Sequence, residues 1–444
     1  MKDVMKIRMV VSALVLTMGT ISYGQAVPAG GSSMSSGTSG PNMPSLDGVL
    51  HYALSASEII QLGYYSPGQV THATVLSGDI AYTAKSTVLP FNMLFAGGVI
   101  LGNQAGQGTT YYSNALVSQG YVTRNWVFNI SDSVSYLPQS PTTGLSGISG
   151  VGDLGAIPPI DGPSGGPAGG ILSTGGNRVG NALNGSVERR LDRDTSISGT
   201  GSWSVLHFLD DGDGLDFSEV SGMVAINRHL DARSSASVDA VYSTFTYSGT
   251  TSEVGEPNIE TRGINVSFQR LLSRTLSVSA SIGPQWVSSS NSTLIPASTD
   301  VAATASISYQ RGFTSAFLGY SRGVNGGSGV LPGALSNGFS GSLAHTYGRK
   351  WVASLNGAYA RSSGLTQLSN GSSIVPTNEI YDTAYGGAQL TRRFSVHFSG
   401  YVSYGVQHQS NNYSLGAQNA LDGTSQTFGI GVTYTPRSTR LGQF

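Results

Sequence analysis

Most of the chain alternates apolar and small polar residues with a period of two. The clearest stretch runs from Leu276 to Trp286, where apolar side chains alternate with Ser277, Ser279 and Ser281. Successive side chains of a β-strand point to opposite faces, so this pattern predicts strands that have one apolar and one polar face. Similar segments of about 10 to 14 residues follow one another from Leu50 to the end of the chain.

The polar face is unusual for a surface that meets bulk water. It consists mainly of Ser, Thr, Asn and Gly. Lys85 and Lys350 are the only lysines after residue 24. Charged residues make up 11% of the chain, against roughly a quarter in typical soluble domains. Hydroxyl side chains suit a wall that faces a confined lumen while the other face meets lipid. The alternative is a secreted two-layer β-protein with a serine-rich exterior, because the alternation signal of each strand is weak.

Arginine-rich turns recur about every 40 residues, near Arg193, Arg233, Arg274, Arg311, Arg349 and Arg392. Propeller blades have a similar period, but four strands per repeat would need much shorter segments than those observed. Two long strands with a short turn and a long loop fill the repeat, which is the arrangement of outer-membrane barrels. We therefore predict an all-β protein, a transmembrane antiparallel up-and-down β-barrel of about 18 strands, within a range of roughly 16–18.

The N-terminus predicts export. Lys2, Lys6 and Arg8 precede an apolar stretch at 9–21 that is followed by small residues. This is the layout of a secretory signal peptide, and the stretch is shorter than a membrane-spanning helix. We expect a signal peptide at 1–24; the alternative is a short N-terminal anchor.

The remaining chain divides by composition. Residues 25–48 are rich in Gly, Ser and Pro and predict a flexible, disordered linker. We expect the barrel at 49–436 and a C-terminal tail at 437–444. Within the barrel, 138–177 is a long Gly- and Pro-rich stretch that predicts an extracellular loop, which is either disordered or folded into the lumen.

Residues for catalysis or metal binding are few. The chain has no Cys, which excludes thiolate zinc sites and Cys nucleophiles. Four Asp between Leu209 and Asp216 offer oxygen ligands, but their spacing does not fit an EF-hand, so we expect a solvated acidic loop. The seven His do not cluster, and Ser is so frequent that a chance triad is expected. We predict no enzyme activity, no cofactor and, from the net charge of −1, no nucleic-acid partner.

The last predicted strand carries Thr427, Gly429, Val432 and Tyr434. These residues match the polar-x-Gly-x-x-hydrophobic-x-hydrophobic signal by which the barrel-assembly machinery recognises its substrates. Such barrels usually end in Phe, and this chain departs from the pattern because a tail after Pro436 carries the final Phe. Over the signal peptide, hairpin array and final strand, the chain resembles large porin-like outer-membrane β-barrel proteins of Gram-negative bacteria, with no characterised subfamily matched.

The resemblance implies a protein of the cell outer membrane that contacts outer-membrane lipid and is inserted by the barrel-assembly machinery. It also implies that the protein carries solutes as a trimer or a monomer, so we expect a possible homo-oligomer. A barrel of this size leaves an aqueous lumen, and a lumen with few charges predicts passive diffusion of small, mostly neutral solutes. The alternative is a structural or surface-interaction barrel, closed by its own loops, whose extracellular segments bind a partner or surface polymer. The residues that we predict to line the lumen are Arg178, Glu188, Asp239, Arg262, Ser277, Ser279, Ser281, Thr304, Ser306, Asp382 and His397.

Overall fold

The computed structural model describes residues 48–63, 70–102, 109–137, 177–209, 215–248, 258–327, 330–348, 350–370, 373–376, 379–412, 422–437 and 439–441. The predicted signal peptide lies outside these residues, and so do residues 25–47 of the predicted linker and 138–176 of the predicted long loop.

The described residues form 21 β-strands. Within these residues, no helix is both long enough and apolar enough to cross a membrane. The strands are β1 (Gly48–Leu62), β2 (Val70–Ala84), β3 (Phe91–Gly102), β4 (Thr110–Val122), β5 (Trp126–Leu137), β6 (Arg178–Arg190), β7 (Thr195–Phe208), β8 (Asp216–Asp231), β9 (Ser234–Ser248), β10 (Asn258–Leu271), β11 (Leu276–Ser289), β12 (Ser298–Arg311), β13 (Thr314–Asn325), β14 (Ala334–Tyr347), β15 (Trp351–Gly364), β16 (Gln367–Asn370), β17 (Ser373–Pro376), β18 (Ile380–Arg393), β19 (Phe398–Asn411), β20 (Gly423–Tyr434) and β21 (Thr439–Leu441).

Eighteen of these strands are long and form one antiparallel sheet that closes on itself. Each long strand pairs with the long strands before and after it in the chain, and β15 pairs directly with β18 because β16 and β17 form a separate hairpin. The first and last long strands also pair, with Leu54 opposite Tyr434. Closure leaves no long edge unpaired. The predicted up-and-down barrel and its strand number are confirmed.

The end of β20 is set by Pro436, which has no N–H to contribute to a ladder. After this interruption, β21 resumes pairing with β1, with Thr439 opposite Leu50. Gly48, the last residue of the predicted linker, already belongs to β1. Part of the predicted tail therefore extends the barrel wall.

The two ends of the barrel have different connections. At one end the turns are short: Ala232 and Arg233 join β8 to β9, and Gly312 and Phe313 join β12 to β13. Gly312 has a φ of 55°, which glycine adopts without strain. At the other end the connections are longer, as at 290–297 and 326–333. The sequence predicted this division into a turn end and a loop end.

The two faces of the wall carry different side chains. On β1, Leu54 and Ile60 are 58% and 44% exposed, whereas Ser55, Ser57 and Gln61 on the opposite face are 8%, 5% and 3% exposed. Side chains splay apart on the convex side of a closed barrel and crowd together on its concave side. The apolar face is therefore the outer one. It continues around the barrel through the exposed residues Val224, Val266, Ile282, Leu318, Leu355, Val402 and Ile430.

Candidate functional site: the inner face of the barrel

The inner face is covered by hydroxyl and amide side chains that pair across neighbouring strands. The hydroxyl oxygens of Ser279 and Ser306 are 2.7 Å apart, between β11 and β12. A hydroxyl both donates and accepts, so such pairs satisfy each other and keep capacity for water or a solute. Equivalent contacts join Ser243 to Thr261 at 2.7 Å, Ser336 to Ser362 at 2.8 Å, Thr383 to Gln409 at 2.7 Å and Gln61 to Ser425 at 3.1 Å.

Most of the residues predicted to line the lumen lie on this inner face. On β11 and β12 they occupy the positions that alternate with exposed apolar residues such as Ile282 and Ile307. On β6 they alternate with Leu183, which is 39% exposed on the outer face. The residues so placed are Arg178, Glu188, Asp239, Ser277, Ser279, Ser281, Thr304 and Ser306.

Asp239 is the most enclosed charged residue of that set. It is 8% exposed and accepts hydrogen bonds from Asn265 Nδ2 at 2.8 Å and from Ser267 Oγ at 3.5 Å. These partners hold the carboxylate against the wall between β9 and β10. Asp239 therefore holds a carboxyl group in a defined position on the inner surface.

Arg262 requires a correction. It shares the outer face of β10 with Ile264 and Val266, which are 49% and 56% exposed. Its Nη2 lies 3.0 Å from Glu260 Oε2. Extending the alternation back from Ile264 and Val266 by two residues would have assigned Arg262 to the outer face.

Asp382 requires the same correction. It shares the outer face of β18 with Leu390. The hydroxyl of Tyr359 donates to Asp382 Oδ1 at 2.5 Å, and Arg361 Nη1 lies 3.8 Å from Oδ2. Asp382, Tyr359 and Arg361 thus form a polar group on the outer face near the loop end of β15 and β18.

His397 lies in a turn rather than in a strand. The backbone N–H of Phe394 bonds to the carbonyl of Phe398 at 2.9 Å, and Ser395 Oγ accepts from the N–H of Phe398 at 3.0 Å. These bonds close the turn, so His397 lies before β19, which begins at Phe398. The alternation of Phe394 and Val396 suggested a strand, but both are exposed turn residues, at 59% and 73%.

Sequence reasoning missed three carboxylates on the inner face: Asp79, Glu219 and Asp300. Asp79 is only 2% exposed. Each could have been found by extending the alternation from the apolar residues of its strand, such as Ile80 and Val220. The inner face therefore carries more carboxyl groups than the predicted set implied.

An apolar cluster covers part of the inner wall near the loop end. It contains Ile295, which belongs to the connection between β11 and β12 and is 1% exposed. The N–H of Ile295 donates to the carbonyl of Asn291 at 2.9 Å, which folds this connection back on itself. Since the strand residues of the cluster point inward, loop 290–297 lies inside the mouth. The strand residues are Phe217, Phe245, Tyr247, Ile259 and Val287.

The described residues of a second loop, 326–327 and 330–333, fold to the same place. Leu331 is 3% exposed and packs with Ala334 and Tyr381. Gly333 has a φ of 79°, and a Cβ there would lie 2.5 Å from Ile259 Cδ1. The two loops therefore narrow the mouth together. The apolar pairs Leu294–Ile295 and Val330–Leu331, in otherwise polar loops, were the sequence signal for this arrangement.

The mouth also contains a buried carboxyl group. Glu379 is 9% exposed, and its carbonyl accepts from the N–H of Gly364 at 2.9 Å. Burial raises the pKa of the Glu379 carboxyl above its usual range. This group therefore holds its proton to a higher pH than an exposed glutamic acid does.

Within the described part of the chain, no three His, Asp or Glu side chains come together in a way that could hold a metal ion. Most of the acidic loop, residues 210–214, lies outside that part.

No protein-family model matches the chain, and no curated protein matches it in sequence. Solved structures with a similar fold include OccK9 (OpdG) of Pseudomonas aeruginosa, with 10% identity, coverage of 89% of this chain and 100% of that one, and a TM-score of 0.42. OpdQ of the same organism has 8% identity, coverage of 88% and 98%, and a TM-score of 0.38. The FrpB iron transporter of Neisseria meningitidis has 7% identity, coverage of 87% and 81%, and a TM-score of 0.42. Similarity at this level does not assign a function to this chain.

Proposed function

We propose that this chain is a porin-like channel of the Gram-negative outer membrane through which small, mostly neutral solutes diffuse. The observation that supports this most is the closed barrel whose outer face is apolar and whose inner face is lined by hydroxyl and amide groups. Barrels of this strand number are wider than their inward side chains alone can fill. Hydroxyl and amide groups hydrogen-bond weakly and reversibly to neutral solutes, which favours passage over retention.

Aromatic and basic residues at the turn end support placement in a membrane. The guanidinium of Arg189 lies 5.2 Å from the ring centre of Trp126, and that of Arg392 lies 5.0 Å from the ring of Trp351. Tryptophan prefers the interface between hydrocarbon and headgroups, and guanidinium groups can bind lipid phosphates there. Outer-membrane lipid is thus a partner of the turn end.

The closing strand β20 carries the proposed assembly signal. Val432 is exposed on the outer face and is followed two residues later by Tyr434, while Thr427 and Gly429 lie on the inner face. A signal on the strand that closes the barrel would be accessible before closure and paired with β1 afterwards. We assign recognition by the barrel-assembly machinery to these four residues.

Reconstitution in planar bilayers tests the channel. We expect stepwise conductance. Neutral solutes that are small enough to enter the lumen should lower it, and larger solutes should leave it unchanged. Purified folded protein that inserts into bilayers without any conductance steps would contradict passive diffusion.

The two inward loops favour a second candidate, a structural or surface-interaction barrel that its own loops close. Deletion of residues 326–333 distinguishes the two functions. The channel function predicts a larger conductance after deletion. The structural function predicts unchanged permeability and loss of binding to a surface partner.

A further inference from the structure

The outer face carries a groove of about 860 Å³ that crosses β4 to β9. Two complete rows of outward positions line it, together with the backbone between them. The residues of each row are paired across neighbouring strands. Because both rows consist of outward positions, the groove lies on the outer face of the wall, which is the side proposed to meet lipid. One of the two rows consists of Gln119, Ile130, Gly185, Gly201, Gly222 and Tyr242.

The barrel itself does not require glycine in this row. A Cβ on Gly185, Gly201 or Gly222 would meet its nearest neighbouring atom at 3.7, 3.9 and 3.8 Å, which is ordinary contact. Glycines elsewhere in the wall differ: a Cβ on Gly283 would lie 1.9 Å from the carbonyl oxygen of Ile264. Glycine inside a strand weakens it and often marks a place where another backbone approaches closely. Within the described part of the chain, Gly185, Gly201 and Gly222 have no such neighbour.

A polar pair lies on the outer face immediately beside the groove. Asn181 Nδ2 donates to Asp132 Oδ1 at 2.6 Å and to the carbonyl of Ser133 at 3.1 Å. Asp132 is opposite Leu183, an outward residue, and is six residues from Trp126 at the turn end. At about 3.3 Å per residue and ~40° tilt, this places Asp132 ~15 Å along the membrane normal, near the middle of an apolar band ~25 Å high.

A carboxylate at that depth faces hydrocarbon, which offers no hydrogen-bond donor. Ionisable residues at membrane depth are found facing protein or water, and a carboxylate has more acceptor capacity than one amide can use. A lipid chain could fill the groove but could not supply a donor to Asp132. A polypeptide with polar groups at the same depth could do both.

We propose that a second copy of this chain packs into the groove across β4 to β9, in the plane of the membrane. A contact that uses the same surface on both copies has a two-fold axis. An axis at β7, near the middle of the groove, sets β5 of one copy against β9 of the other. Tyr242 lies on β9 and is 41% exposed, and Asp132 lies on β5. The hydroxyl of Tyr242 therefore faces the strand of the second copy that carries Asp132 and can donate to it.

Cysteine cross-linking tests the contact directly, because the chain has no Cys of its own. Gly201→Cys is placed at the axis, and mild oxidation of native membranes should give a covalent dimer. Gly386→Cys is the matched control, since Gly386 is an outward glycine on β18 whose Cβ would also meet its nearest atom at an ordinary 3.8 Å. Folded, membrane-inserted Gly201→Cys that gives no dimer, or no more than Gly386→Cys, overturns the proposal.

Filling the groove provides a second measurement. Gly201→Phe should lower the ratio of dimer to monomer in native mass spectrometry by at least tenfold, and Tyr242→Phe should lower it less, whereas Gly386→Phe should leave it unchanged. Heat-modifiable migration in gels verifies that each variant is folded. A wild-type protein that is monomeric with lipid retained overturns the proposal.

The inference depends on the membrane placement proposed above, but not on solute passage. A chain that fractionates with soluble proteins would contradict the proposed function itself. A monomer that conducts in bilayers would leave the channel intact and contradict only the contact between copies.

Discussion

At the scale of single residues, the hairpin turn between β6 and β7 depends on Asp192. Its Oδ1 accepts hydrogen bonds from the N–H groups of Asp194 and Thr195, each at 2.7 Å. These backbone hydrogen bonds lower the pKa of Asp192. Because the folded pKa lies below the unfolded one, the ionised carboxylate stabilises the turn above the unfolded pKa. That contribution is lost as the pH falls through the folded pKa.

We therefore expect Asp192→Ala to unfold at lower urea concentration than the wild type at pH 7. The difference should narrow progressively below about pH 4, where the carboxyl group of the unfolded chain is already protonated. Urea titrations of the barrel in lipid vesicles at several pH values measure it. Asp192→Asn, which keeps an acceptor oxygen without the charge, should show a smaller and less pH-dependent difference. An equal difference for Asp192→Ala at pH 7 and pH 3 would exclude this role.

At the scale of elements, loop 290–297 lies inside the mouth because one apolar side chain attaches it there. Ile295 packs against inward residues of four strands, including Phe245 and Ile259. A loop on the surface would leave this side chain in water. The position of the loop, and with it the width of the mouth, thus depends on burial of Ile295.

Replacing Ile295 by Ser should release the loop. Loss of a fully buried Ile side chain disfavours the packed position by about 2 kcal/mol or more, so the loop should spend much of its time outside the mouth. We expect larger single-channel conductance and faster cleavage of the loop by protease added to intact cells. Thr293→Ser, at an exposed position of the same loop, is the control. Unchanged conductance together with faster cleavage would show that this loop does not limit the mouth.

At the scale of the whole molecule, closure between β1 and β20 gives every long strand two partners and divides the wall into an inner and an outer surface. Adjacent residues therefore face different surroundings. Ile282 is 60% exposed on the outer face, and Ser281 lies beside it on the inner face. Under the proposed function, the same substitution would meet lipid at Ile282 and the lumen at Ser281.

Ile282→Arg should destabilise the barrel in vesicles by about 2–4 kcal/mol, the cost of a cationic side chain at the middle of the lipid face. Ser281→Arg should cost much less and should shift the ion preference of the channel toward anions. Urea unfolding measures the first effect, and the reversal potential in a salt gradient measures the second. Equal stability losses at both positions would argue against a lipid-facing and a lumen-facing side.

Local chemistry made much of this fold predictable from the sequence. The alternation around Ser279 and Ser281 placed these residues on one face, and the arginine-rich turns divided the chain into hairpins, because side-chain period and turn residues act over a few neighbouring positions. The prediction of inward residues failed near the ends of two strands, and at one turn whose residues also alternate. Arg262 and Asp382 lie on the outer face, and His397 lies in a turn.

The amino-acid sequence by itself determined the class of fold, the number of long strands and the division into a turn end and a loop end. The tertiary structure alone decided that Ile295 and Leu331 lie inside the mouth, that β21 continues the wall, and that Gly185, Gly201 and Gly222 line one groove. Each of these depends on contacts between residues distant in the chain, and closure of the barrel fixes which distant residues meet.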